Sequence, residues 1–176
     1  MSLLLTFMMK INVNIIKSPL MPCIYSNKNA NTIEHIFPKS FLINYKQKYD
    51  MHNLYKCNKE INRLRSNYKY TDYITKNKEW ISLYDNNYVN NKEKLFIPND
   101  YSKGIISRSI LYMCYNYNCN YSKIIDYKLL MLWNIKFPPS KEELYHNKVV
   151  LQIQKTNNVF ISKYEDMLKL CSNNFT

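Results

Sequence analysis

The spacing of hydrophobic and polar positions divides the chain into three zones. In the first zone, up to about Lys56, short apolar runs such as 21–25 and 33–37 alternate with turn-forming residues. Such a pattern is typical of short strands and loops. It predicts a small β-sheet in this part of the chain.

A short helix opens the second zone. Asn58 is placed to cap residues 59–65, because its side chain can accept a hydrogen bond from a free amide of the first turn. On that helix Asn62 and Arg65 lie three residues apart and therefore on one face. The stretch 71–100 is polar and rich in Asn and Lys, which predicts a loop with little regular structure.

The third zone, approximately residues 102–172, predicts packed helices. Apolar residues recur near a 3.6-residue period in 105–113 and again in 124–133. Ser140 and Glu143 form a capping-box pattern that opens a third helix. These helices are expected to supply most of the hydrophobic core.

Length and composition favour one domain over residues 1–176. The chain has 176 residues, of which 46% are hydrophobic, and this is enough for one ordinary core. No internal repeat and no Gly/Ser/Pro linker divides it. The sequence therefore predicts an α+β fold with a small β-sheet packed against a mainly helical C-terminal half.

The charge balance points to a polyanionic partner. Lys and Arg number 25 against 13 Asp and Glu, giving a net charge of +12. Such an excess favours nucleic acid or an anionic surface and argues against a cationic substrate. An A+T-rich coding bias explains the preference for Lys over Arg, but it does not explain the scarcity of acids. A solvated, solubilising lysine face is the alternative interpretation.

Cysteine usage and the absence of a targeting pattern favour an intracellular protein. The apolar stretch 3–9 has no basic region before it and is too short to span a bilayer, so we expect no membrane association. The five cysteines are odd in number and form no CxxC pair, which fits a reducing compartment: Cys23, Cys57, Cys114, Cys119 and Cys171.

Three histidines are candidates for chemistry. His146 lies in the third predicted helix without a suitably spaced acid or cysteine, so a surface or capping role is expected. His52 is open to a structural and to a functional interpretation. His35 differs from both because it directly follows Glu34 in a short apolar segment that would place the two side chains on opposite sides of an extended chain.

Glu34, His35 and the amide of Asn62 suggest phosphodiester chemistry. Carboxylate and amide oxygens are hard ligands of the kind that Mg²⁺ prefers, and Mg²⁺ keeps several waters. A neutral imidazole beside such an ion can take a proton from water near neutral pH.

Five blocks of sequence resemble, in order, motifs of the endonuclease I group of ββα-metal (His-Me finger) nucleases. Residues 31–40, NTIEHIFPKS, are similar to N-x-E-H-x-x-P-x-S, and residues 50–54, DMHNL, to D-[LM]-H-N-L. Residues 60–67, EINRLRSN, resemble E-V-N-G-D-R-S-N. Residues 104–113 resemble G-D-[IV]-A-R-A-x-x-Y-M, and residues 154–160 resemble Q-G-N-R-N-P-F. The order of the blocks is far more specific than any one of them.

The resemblance implies a fold and a mechanism. It implies a ββα-metal finger over approximately residues 31–68, in which His35 is the general base and Glu34 and Asn62 hold one Mg²⁺. Mn²⁺ or Ca²⁺ would be substitutes. The implied reaction is largely sequence-independent hydrolysis of DNA, with RNA as a second candidate substrate, to 5′-phosphate and 3′-hydroxyl ends. A monomer is expected, and secretion is the alternative localisation.

The resemblance also implies contacts with nucleic acid. Arg65 and Asn67 match positions near the cleft, where either could contact a phosphate or have a helix-end role. Arg108 matches a family arginine that could equally belong to a buried ion pair. Family members carry a longer insert with a phosphate-stabilising arginine where this chain has only residues 41–49. Lys46 and Lys48 are the candidates to replace that arginine.

A non-catalytic, basic nucleic-acid-binding module is the main rival interpretation. The positive charge of the chain and its interleaved aromatic residues would suffice to bind nucleic acid through phosphate neutralisation and base stacking. The intact acid, imidazole and amide set favours the nuclease, since a binding module does not need it. A zinc-stabilised module would use four residues whose spacings fit no common zinc finger: Cys23, His35, His52 and Cys57.

Overall fold

The computed structural model describes residues 23–26, 30–74, 76 and 79–172. The apolar stretch 3–9 lies outside these ranges. Within them the chain has an α+β fold with seven α-helices and two small sheets. The strands are β1 Thr32–His35, β2 Leu54–Cys57, β3 Lys69–Tyr70, β4 Trp80–Ser82, β5 Tyr88–Asn90 and β6 Leu95–Ile97. The helices are α1 Tyr45–Lys48, α2 Lys59–Arg65, α3 Asp100–Tyr117, α4 Tyr127–Lys136, α5 Lys141–Gln154, α6 Val159–Ser162 and α7 Tyr164–Ser172.

The first sheet confirms the prediction of short strands before residue 57. Strands β1 and β2 pair antiparallel, with Thr32 opposite Cys57 and His35 opposite Leu54. Helix α2 follows directly, and Asn58 caps it by accepting hydrogen bonds from the amides of Glu60 and Ile61. Residues 36–53, which include α1, connect β1 to β2, whereas α2 follows β2 directly and is joined to β1 by the hydrogen bond from Asn62 to the carbonyl of Ile33.

The predicted loop over 71–100 is wrong, because this region contributes three strands to a second sheet. The sheet has the order β3-β6-β5-β4, with β3 parallel to β6 and the other pairs antiparallel. Each strand has only two or three residues, too few to display an alternating pattern in the sequence. Burial of Val89 and Phe96 in the main core stabilises the sheet, and that contact is tertiary.

The helical third zone is confirmed. Helix α3 covers the first periodic segment, whereas α4 begins at Tyr127 and so covers the second only from that residue onward. Ser140 caps α5 by accepting from the amide of Glu143. The carboxylate of Glu143 binds Arg108 on α3. No helix among the described residues is both long and apolar enough to cross a membrane.

The surface or capping role expected for His146 is wrong. The residue is 1% exposed, its Nε2 donates to the carbonyl of Met51 at 3.0 Å, and its ring stacks on Tyr55. His52 is also buried, and its Nε2 donates to the carbonyl of Thr156. Both imidazoles therefore join α5 and the segment after it to the turn that precedes β2, which favours the structural interpretation of His52.

Candidate active site

An open cleft of about 270 Å³ lies where β1 ends beside α2. It brings together five residues that the sequence predicted for a site: Glu34, His35, Asn62, Arg65 and Asn67. The other residues that line it are Ile33, Pro38, Lys39, Ser40 and Ser66. The remaining predicted contacts, Lys46, Lys48 and Arg108, do not line the cleft.

His35 is the last residue of β1 and is half-buried at the cleft. Its Nε2 donates to the backbone carbonyl of Lys48 at 2.9 Å, because a carbonyl oxygen can only accept. Burial lowers the pKa of His35, and the nearby charges of Lys39 and Arg65 lower it further. At neutral pH the ring is therefore neutral, and Nδ1 carries the lone pair that can accept a proton.

Glu34 precedes His35 and points to the opposite, buried side of the strand, where it is 2% exposed. Its Oε1 accepts a hydrogen bond from the hydroxyl of Tyr25 at 3.0 Å and pairs with Nη1 of Arg65 at 3.0 Å. Burial raises the pKa of the Glu34 carboxyl to about 7, although the guanidinium and the hydroxyl both favour the ionised form. Among the described residues, none hydrogen-bonds to the second oxygen, Oε2.

Asn62 lies on α2, facing the end of β1. Its Nδ2 donates to the carbonyl of Ile33 at 3.0 Å, and this bond fixes the orientation of the amide. The amide oxygen has no hydrogen-bond partner in the described part of the chain. Asn62 and Glu34 both line the cleft, so this oxygen is a candidate second oxygen donor there.

The donor set of the cleft fits a hard divalent cation. A carboxylate oxygen and an amide oxygen suit Mg²⁺, which is commonly held by one or two carboxylates and keeps several waters. Within the described ranges there is no cluster of three or more His, Cys, Asp or Glu side chains that could hold a metal ion. Glu34 and Asn62 would therefore leave most coordination positions to water or substrate.

Arg65 forms part of the cleft wall, but its guanidinium is engaged within the protein, which favours the helix-end role over the phosphate contact. The residue is 1% exposed, and its guanidinium packs over the ring of Tyr70 at 4.5 Å. Besides pairing with Glu34, it donates to the carbonyl of Ile36 at 2.8 Å and to that of Ser66 at 3.0 Å. Its role in this structure is to balance the charge of Glu34 and to join α2 to the end of β1.

Arg108 is buried and cannot contact nucleic acid in this structure. The residue is 1% exposed, its Nε donates to Glu143 at 2.7 Å, and its Nη1 donates to the carbonyl of Phe137 at 2.7 Å. The predicted contact with nucleic acid is therefore corrected, and the alternative of a buried ion pair describes Arg108.

The other three residues that the sequence predicted to contact nucleic acid lie at different distances from the cleft. Asn67 is exposed at the cleft rim and donates to Ser40 at 3.3 Å. Lys46 is exposed on α1, outside the cleft lining. Lys48 is half-buried, and it contributes its backbone carbonyl to His35.

Three residues of the site are not among those that the sequence predicts. Lys39 and Ser40 line the cleft, and Lys39 brings an ammonium group to it. Both lie in the same sequence block as Glu34, so proximity along the chain could have indicated them. Tyr25, the hydroxyl donor to Glu34, is nine residues upstream and carries no local pattern that would connect it to the site.

Comparisons of sequence place the chain among known proteins. The sequence model of the Endonuclease I family matches residues 13–165. The chain is 33% identical over 114 residues to Endonuclease-1 of Buchnera aphidicola subsp. Baizongia pistaciae (strain Bp), and 30% identical over 115 residues to Endonuclease-1 of Buchnera aphidicola subsp. Acyrthosiphon pisum (strain APS). These alignments cover 64% and 65% of this chain, and 45% of each relative, so the chain matches about half the length of its relatives. Because the family match extends over most of its length and includes the whole cleft, the chain belongs to the Endonuclease I family.

Proposed function

We propose that this protein is a metal-dependent endonuclease that hydrolyses phosphodiester bonds of DNA, with RNA as a second substrate. The observation that carries the proposal is a neutral imidazole in one cleft with two hard oxygen donors. His35 is oriented by the carbonyl of Lys48, while Glu34 and Asn62 lie beside it. The relatives named Endonuclease-1 support the same conclusion.

Strands β1 and β2 with helix α2 would act as the metal finger of this enzyme. Glu34 comes from β1 and Asn62 from α2, and the bond from Asn62 to the carbonyl of Ile33 holds the two elements together. Both ligands would thus hold one Mg²⁺, and Mn²⁺ or Ca²⁺ would be substitutes. When bound, the ion would supply Lewis-acid stabilisation of the charge that builds on the phosphate and the departing oxygen.

His35 would activate the attacking water. Its Nδ1 takes one proton from the water while the water oxygen bonds to phosphorus and the bond from phosphorus to the 3′ oxygen breaks. The carbonyl of Lys48 accepts from Nε2 throughout, so it orients the ring and stabilises the imidazolium that forms. The departing 3′ oxygen takes a proton from solvent water, and the imidazolium later releases its proton to solvent, so the products would be a 5′-phosphate and a 3′-hydroxyl.

Lys39 would attract the phosphate backbone into the cleft. It is exposed, it lines the cleft, and it brings positive charge close enough to His35 to lower the imidazole pKa. Contact with phosphates carries no sequence information, so cleavage is expected to be largely independent of sequence.

Nicking of supercoiled plasmid tests the proposal. Purified protein with Mg²⁺ should convert the plasmid to open circles, and both EDTA and the substitution His35→Ala should abolish this conversion. Circular dichroism of the variant should match that of the wild type, because His35 is half-buried in a short strand. If both proteins shift the plasmid equally and neither cuts it, the chain is a non-catalytic binding module and the proposal fails.

A further inference from the structure

Residues 39–49, here called the platform segment, connect the two sides of the cleft. At its start, Lys39 and Ser40 line the cleft. Near its end, the carbonyl of Lys48 accepts from the candidate base His35. Any ligand on this segment would therefore lie next to the proposed reaction site.

The platform segment exposes large apolar side chains. Ile43 is 83% exposed, Tyr45 is 57% exposed and Phe41 is 36% exposed. The ring of Tyr45 stacks on that of Tyr49 with centroids 5.3 Å apart and planes 25° from parallel. Exposed apolar side chains that are concentrated within five residues of a cleft indicate a binding surface.

Hydrogen bonds hold this surface in one conformation. Asn44 and Gln47 form a capping box on α1, and Gln47 is 5% exposed. The side-chain oxygen of Gln47 also accepts from the amide of Ile43 at 2.8 Å. The short helix that carries Tyr45 is thus anchored on its buried side, and a ligand would not have to order it.

The charge of the platform segment selects the kind of ligand. The segment contains three lysines and no acidic residue, and Lys39 places its ammonium 6.0 Å from the centroid of the Tyr49 ring. Aromatic rings interleaved with positive charge are the surface that unpaired nucleotides need, since bases stack on the rings and phosphates pair with the cations. A duplex offers its phosphates to such a surface but keeps the faces of its bases stacked inside.

We propose that the platform segment binds unpaired bases beside the scissile phosphate, with Tyr45 as the stacking residue. The protein would then bind single-stranded nucleic acid better than an intact duplex of the same sequence. This inference rests on the proposed function of the cleft, because it assigns the adjoining surface to the same substrate.

Fluorescence anisotropy with a labelled single-stranded DNA and the matching duplex tests the inference, in EDTA so that nothing is cut. Tyr45→Ala should weaken binding of the single strand about tenfold, the loss expected for one base–aromatic stack, and change duplex binding less than about twofold. Tyr45→Phe should keep the affinity. Tyr84→Ala, at a 52% exposed tyrosine in the turn between β4 and β5, is the matched control and should leave both affinities unchanged.

A single strand with abasic sites distinguishes stacking from other roles of Tyr45. The wild-type protein should bind this strand about tenfold more weakly than the intact single strand. Tyr45→Ala should bind both strands with equal affinity, because the base and the ring act as one pair. Equal weakening of single strand and duplex by Tyr45→Ala would overturn the inference. So would a wild-type dimer, detected by sedimentation, that Tyr45→Ala dissociates, since a second copy would then occupy the surface.

The two proposals fail in different ways. Absence of plasmid nicking by the wild type, with single-strand selectivity retained, counts against the nuclease alone. Mg²⁺-dependent nicking, together with a Tyr45→Ala variant that keeps the single-strand selectivity of the wild type, counts against the platform segment alone.

Discussion

Alternation along one strand separates the two most reactive side chains of the cleft. Glu34 points into the protein, where Tyr25 and Arg65 hold one of its oxygens. His35, the next residue, points to the other side and is held by the carbonyl of Lys48. Because neighbours on a strand face opposite ways, each acquires its own environment and its own shift in pKa.

At the same scale, Lys39 is predicted to contribute more to nicking than Lys46, one of the two lysines that the sequence favoured. Lys39→Ala should slow plasmid nicking about tenfold, the effect of losing one charge-assisted contact with phosphate, whereas Lys46→Ala should slow it less than about twofold. The reason is position, since Lys39 lines the cleft and Lys46 does not. Initial rates at low salt measure the effect, and a larger loss with Lys46→Ala would contradict this placement.

Among the elements, helices α3 and α4 approach each other closely at two places. The hydroxyl of Ser107 donates to the carbonyl of Leu130 at 2.8 Å. Gly104, the single glycine of the chain, faces the backbone carbonyl of Phe137, and a Cβ at this position would clash with that oxygen and with the guanidinium of Arg108. The carbonyl is backbone and cannot rotate away.

Gly104→Ala is therefore expected to destabilise the protein. Overpacking at such a contact costs about 1–3 kcal/mol, more than the gain of about 1 kcal/mol that alanine brings to a helix interior. Urea unfolding followed by circular dichroism at 222 nm (the usual helix wavelength) measures the change in the free energy of unfolding. An alanine variant as stable as the wild type would show that the two helices can separate without cost.

For the whole molecule, the buried imidazoles couple stability to pH. Burial lowers the pKa of His146 to about 3, and burial also lowers the pKa of His52, which lies 6.4 Å from His146 between ring centroids. Both rings are thus neutral in the folded protein. In the unfolded chain, each would bind a proton below about pH 6.5.

Acid is therefore expected to destabilise the fold, with a measurable share from His146. The stability that depends on a neutral His146 is fully present above about pH 6.5 and is lost progressively as the pH falls towards 3. At pH 5 the loss in the free energy of unfolding is about 2 kcal/mol. Urea unfolding at pH 7 and pH 5 should show a smaller difference for His146→Gln than for the wild type. Glu34 is present in both proteins, so its own titration cancels, and an identical pH dependence of the two would contradict the assignment.

Helix capping and hydrophobic periodicity act within a few residues, so the elements that depend on them could be predicted from the sequence. Asn58 caps the helix that it was predicted to cap, and the periodic segments form α3 and α4, because capping and periodicity act within a few residues. The block around Glu34 and His35 placed both residues at the cleft. The residue types, and then the resemblance to the family, supplied the expectation that Asn62 would join them.

The ion-pair partners of the buried charged side chains could be identified from the tertiary structure alone. Arg65 pairs with Glu34 across 31 positions of sequence, and Arg108 pairs with Glu143 across 35. These pairs settle between the alternatives that the sequence left open, because both guanidinium groups are held inside the protein. The strands within 71–100 likewise form because long-range pairing and burial of Val89 and Phe96 stabilise segments that are too short to be recognised alone. Local patterns act over a few residues, whereas burial and charge pairing depend on which distant parts of the chain come together.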